Sequence, residues 1–198
     1  MLELVAFAVA TGCLLGLSAL MVVSLLAPER RLWPAGDDDR KRRVYLALSR
    51  PLLPAVFATG VLDRNAGPLA APWHLGVGAI GVLAAFAVLS RSAADLGEEA
   101  TEGREDELRT DGLYRYTRNP QNVGYVLLFA TYAVLANSPL VGVLTVEFAA
   151  VTVLQVLAEE AWLRDTYGDA YDAYCERVPR FVGVQTFTRA LDDSLRRK

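Results

Sequence analysis

The residues with most to offer chemically lie in two polar segments, Leu108–Tyr125 (LRTDGLYRYTRNPQNVGY) and Glu159–Arg180 (EEAWLRDTYGDAYDAYCERVPR). The first carries Tyr114 and Tyr116, Arg115 and Arg118, and an Asn119-Pro120 turn signal; the second opens with adjacent carboxylates, Glu159 and Glu160. Aromatic faces, fixed charges and freed backbone groups suit a ligand with a purine, a ribose and an amino-acid end. A helix starting at Pro120 would present N–H donors and the positive end of its dipole to an anionic group. Glu159 and Glu160 are rotated about 100° from each other on a helix, so they face different partners. Glu159 is placed to accept from an ammonium or a ribose hydroxyl. Glu160 is the candidate general base, with Arg164 one turn on as its charge partner. An ordinary surface Glu–Arg pair accounts for the same spacing.

Other chemistries find little support. Cys13 and Cys175 cannot build a disulfide framework, and neither has a His or Cys close in sequence to complete a metal site. The sole histidine, His74, opens an apolar run, as an interfacial polar residue does. No glycine-rich phosphate loop is present.

The elements that must hold these segments are apolar helices. Hydrophobic residues make up 53% of the 198. Leu4–Ala27 runs 24 residues without a charge, more than the roughly 20 needed to cross a bilayer. No Lys or Arg precedes it, so it reads as a retained helix and not as a signal peptide. Further spans are expected at 44–62, 74–90, 123–136 and 140–158. The second contains Arg50, Pro51 and Pro54, tolerable where the arginine snorkels to the interface. Asn137-Ser138-Pro139 turns the last two into a tight hairpin. The expected fold class is therefore all-α. It is a polytopic membrane protein with about five transmembrane helices in one membrane domain, 1–198, and a cytoplasmic C-terminal amphipathic helix. The cytoplasmic segments 91–122 and 159–184 form the site.

Basic residues set the orientation. Six lie in Pro28–Arg43, five in Arg91–Asn122 and seven from Glu159 onward, while Arg64 alone lies in the loops opposite. Because Lys and Arg favour cytoplasmic loops, the N-terminus is expected outside and the C-terminus and active site inside. Trp33, Trp73 and Trp162 fall near span ends, where interfacial belts form. Glu147, inside the last span, is expected to bond Thr131 or Tyr132 of the neighbouring helix. The chain from Gln185 onward reads as a frayed polar end.

Gly112-x-Tyr114 with Arg118-Asn119-Pro120, and the tail Glu159-Glu160 with Gly168-x-x-Tyr171-x-x-Tyr174, together resemble the integral-membrane methyltransferases. This superfamily includes isoprenylcysteine carboxyl methyltransferase and the phospholipid N-methyltransferases. The resemblance implies methyl transfer from S-adenosylmethionine to a lipophilic acceptor in the membrane, a phospholipid amine or an isoprenoid-linked group. It implies that Leu108, Tyr114, Asn119, Pro120, Gln121, Asn122 and Glu159 lie against the cofactor, and that the tail covers it from the cytoplasm. Four places depart from the family pattern: Asp106-Glu107-Leu108-Arg109 stands for the usual His-x-Leu-Val start, Asn119 replaces the usual His, Asn122 the usual Tyr, and Gln155 the Arg that engages a substrate carboxylate. Gln155 suits a neutral or amine headgroup better, and with Glu160 it forms the expected catalytic pair. An NADPH-dependent isoprenoid or sterol reductase is the alternative from a related helical arrangement; a non-catalytic scaffold or transporter is another. Expected partners are the lipophilic substrate and membrane lipids, with neither nucleic acid nor metal.

Overall fold

The computed structural model describes residues 1–70, 72–96 and 108–196. The acidic stretch 97–107, read from the sequence as broken by Gly97 and Gly103, lies outside them. All regular elements among the described residues are helical. They are α1 (Leu2–Leu26), α2 (Asp39–Leu62), α3 (Trp73–Leu96), α4 (Pro120–Ala136), α5 (Pro139–Tyr167), α6 (Asp169–Arg177) and α7 (Val184–Arg196), with 3-10 turns at Pro28–Arg30 and Gly112–Arg115.

Four helices, α1, α2, α3 and α5, are long and apolar enough to cross a membrane. The fifth expected span, α4, is shorter: Pro120 at its first turn and the left-handed Asn137 after it confine it to 17 residues. At 1.5 Å per residue that is about 25 Å, against about 30 Å of hydrocarbon. The second helix starts earlier than Val44 because the Asp38 carboxylate accepts from the Arg40 and Lys41 amides at 2.8 and 3.3 Å, satisfying donors that a helix start leaves open. Pro51 and Pro54 lie inside α2 without ending it.

The α1, α2, α4 and α5 helices share a core that includes Leu14, Leu17, Val56, Phe129 and Leu144. The α3 helix packs along α4. The approach is close, since a Cβ on Gly78 would stand 2.5 Å from the Leu135 Cα. Small residues are what permit such backbone contact between apolar helices.

Polar contacts mark the two ends of this bundle. At one end the α4–α5 turn is tied to the α2–α3 loop. Ser138 caps α5 through the Val141 amide and donates to Asp63 at 2.6 Å, while Asn137 bonds the backbone of Gly67 and Leu69. At the other end Ser24, near the end of α1, accepts from the amides of Leu32 and Trp33. There Asp95 of α3 accepts from the Leu113 amide at 2.9 Å. Both polar segments singled out above gather at this second end.

Candidate active site

The α5 helix continues past the expected boundary at Ala158 to Tyr167, so the Glu pair sits on a regular helix and its two carboxylates diverge. Glu159 Oε1 accepts from Trp33 Nε1 at 2.7 Å and from Gln155 Nε2, one turn earlier, at 3.0 Å. Trp33 stacks on Tyr45 of α2 with ring centroids 3.9 Å apart. Gln155 also hydrogen-bonds Tyr45, and Tyr114 lies within the electrostatic reach of Glu159. Glu159, Gln155 and Tyr45 are half-buried. Among the described residues, no Lys or Arg pairs with Glu159.

Glu160 faces the other way. Arg180 grips it with two parallel bonds of 2.8 Å, and Arg118 Nη1 stands 3.0 Å from the same carboxylate. Bidentate geometry is the strongest form of a guanidinium–carboxylate contact. Arg118 also reaches Tyr171 and the Cys175 thiol. Arg164, the expected partner of Glu160, instead pairs with Asp172 at 3.2 Å, because α6 folds back to place that carboxylate beside it.

These contacts strap the tail to the start of α4. The Arg180 carbonyl accepts from Asn119 Nδ2 at 3.0 Å and from Thr117 Oγ1 at 3.2 Å, and the Arg118 amide donates to the Pro179 carbonyl. Asn122 Nδ2 contacts Asn119 Oδ1 at 3.5 Å. Tyr174 donates to the Tyr114 carbonyl at 2.7 Å, and Leu108 packs against the buried cluster of Tyr171, Tyr174 and Val178. Burial holds the Tyr114, Tyr171 and Tyr174 hydroxyls well above the ordinary tyrosine range, with the Glu159 charge adding to the effect at Tyr114 and Glu160 at Tyr171. All three stay protonated at neutral pH.

The expected site residues thus fall into two connected groups. Gln155 bonds Glu159, and Tyr114 lies near the Glu159 charge. Asn119 and Asn122 stand at the start of α4, where Asn119 holds the tail, Leu108 packs against the tail, Pro120 is buried at the first position of α4, and Gln121 is half-buried beside it. Three expectations are corrected. Trp33 is not an interfacial ring, for it is 2% exposed with its N–H committed to Glu159. Glu147 is met by Thr11 of α1 at 3.1 Å; Thr131 bonds its own helix and Tyr132 the Phe57 carbonyl. From Gln185 to Arg196 the chain is part of the helix α7 and not a frayed end; Arg197 and Lys198 lie outside the described residues. Trp33, Tyr45, Arg118 and Arg180 were absent from the sequence-based site, since no spacing ties Trp33 to a carboxylate so distant in the chain. A second, polar cleft of about 370 Å³ lies between α6 and α7; its Arg115, Arg177 and Arg189 are engaged with Asp193 or main-chain carbonyls.

Residues 71–170, half of the chain, match the family model for phospholipid methyltransferase. The chain belongs to the phospholipid methyltransferase family. With its apolar helices, this makes it an integral membrane protein of a family of methyltransferases acting on membrane lipids. The match takes in both glutamates, Gln155 and the whole α4–α5 hairpin, but neither Trp33 nor Tyr45. No curated protein and no solved structure matches the chain.

Proposed function

We propose that the protein transfers a methyl group from S-adenosylmethionine to the amine headgroup of a membrane phospholipid. The observation that carries this reading is Glu159, an enclosed carboxylate bonded by two neutral donors and paired with no cation among the described residues. An ionised carboxylate in such surroundings is costly unless a cation meets it. S-adenosylmethionine brings two cationic centres and, when bound, supplies an electrophilic methyl group. Glu159, oriented by Trp33 and Gln155, would hold its ammonium. Tyr114 offers an aromatic face, while Leu108, Asn119, Pro120, Gln121 and Asn122 line the side covered by the tail.

Gln155 spends its amide on Glu159, which makes it an orienting residue. Its neutrality supplies no fixed cation beside Glu159 for a carboxylate acceptor, and that favours an amine. Glu160 has its oxygens occupied by two guanidiniums and serves to hold the tail closed, a role distinct from the expected base. With the tail strapped over it, the site would hold the cofactor and the acceptor together and limit the access of water. The membrane arrangement is five spans with the N-terminus outside and the site cytoplasmic.

The test is calorimetry of purified protein with S-adenosylhomocysteine and with NADPH, followed by transfer of radiolabelled methyl to phosphatidylethanolamine or to a farnesylcysteine analogue. S-adenosylhomocysteine should bind, and Glu159→Gln should weaken it by about 1–3 kcal/mol, the scale of a charged hydrogen bond. Binding of NADPH alone, or methylation confined to the prenylcysteine, would overturn the reading.

A further inference from the structure

The α7 helix is docked the wrong way round for a soluble protein. Its polar side chains turn inward: Asp193 accepts from the Tyr116 hydroxyl at 2.6 Å and pairs with Arg115 at 3.2 Å, Thr186 donates to the Tyr116 carbonyl, and Arg189 donates to the carbonyls of Arg115 and Arg177. Its apolar side chains turn outward, with Val184 80%, Phe187 67%, Leu191 61% and Leu195 62% exposed. These recur at intervals of three and four residues, so they form one stripe along the helix. A contiguous apolar surface of this kind needs a cover.

We infer that α7 is an interfacial anchor whose apolar stripe is buried in the headgroup and acyl boundary of the membrane that holds the bundle. The anchoring contact selects the bilayer as the cover. It is continuous with the membrane-embedded bundle, because Tyr116 lies four residues before Pro120, the start of α4. Four residues span at most about 14 Å, within reach of the headgroup layer. An amphipathic helix lying in the interface gains from burying its apolar face at the headgroup and acyl boundary. Since α7 follows Arg180 in the chain, seating it on the lipid would also hold the tail against Glu160. This inference rests on the integral-membrane assignment and is independent of which acceptor is methylated.

The full chain, with Cys13→Ala and Cys175→Ala, is reconstituted in vesicles of phosphatidylcholine and phosphatidylglycerol. An environment-sensitive fluorophore is placed in turn at Phe187→Cys, Leu195→Cys and, as the polar control, Asp192→Cys. At positions 187 and 195 the emission should shift to the blue and be quenched by lipids spin-labelled near the headgroup, with little loss to aqueous iodide. Position 192 should show the reverse preference. Iodide quenching at 187 and 195 would place the stripe in solution, and protection from both quenchers would place it against protein. Either result overturns the anchor.

Discussion

Glu160 shows how the surroundings of a residue, more than its type, assign its role. Adjacent carboxylates on one helix read equally well as two parts of a reacting site. One of them is instead clamped by Arg118 and Arg180, with Arg118 itself buried. Removing one member of such a buried pair strands the remaining charges, at a cost of about 3–5 kcal/mol. Glu160→Gln is therefore expected to release the tail: limited proteolysis should cut between α5 and α7 much faster than in wild type. Glu160→Gln that keeps wild-type protease resistance while losing methyl transfer would return Glu160 to the role of base. The pair was legible in the sequence as chemistry, because polar residues flanked apolar spans. Its partners were not, since Trp33, Arg118 and Arg180 are brought to it only by tertiary folding, and nothing in local spacing encodes that.

At the scale of elements, apolar runs located the helices well and their ends less well. The second helix began earlier because a single carboxylate at Asp38 caps it, and the fifth ran on through the Glu pair until Gly168, at φ 51°, allowed the break into α6. The α7 helix escaped detection because its acidic and basic residues suggest a solvated end, whereas they are spent on internal contacts. The α3–α4 seam gives a direct test of packing. Gly78→Val would push a branched side chain into the backbone at Leu135, while Gly76, two residues away, faces open space. Overpacking of this kind costs about 1–3 kcal/mol. Thermal unfolding in detergent should show a clearly lowered midpoint for Gly78→Val and little change for Gly76→Ala. Equal effects at the two positions would mean that the seam is not tightly packed.

The topology of the whole molecule turns on α4, the shortest helix of the bundle core. If α4 crosses the membrane, α3 and α5 end on the same side; if it does not, they end on opposite sides. The proposed arrangement has α4 cross, because the five basic residues of Arg91–Asn122 and the seven from Glu159 onward then share a face with the six of Pro28–Arg43. Arg64 is left opposite, beside the Asp63–Ser138 tie. The length deficit of α4, about 5 Å against the hydrocarbon, is of a size that local thinning of the bilayer absorbs at modest cost. Single cysteines in the Cys13→Ala, Cys175→Ala background, at Arg40, Arg91 and Arg177, are expected to react with an impermeant maleimide from one face of oriented vesicles, and one at Arg64 from the other. The decisive comparison is Arg91 with Arg177. Labelling of these two from opposite faces would remove α4 from the set of spans and with it the shared cytoplasmic site, because the connection from α3 and the tail after α5 could then no longer meet across Glu159.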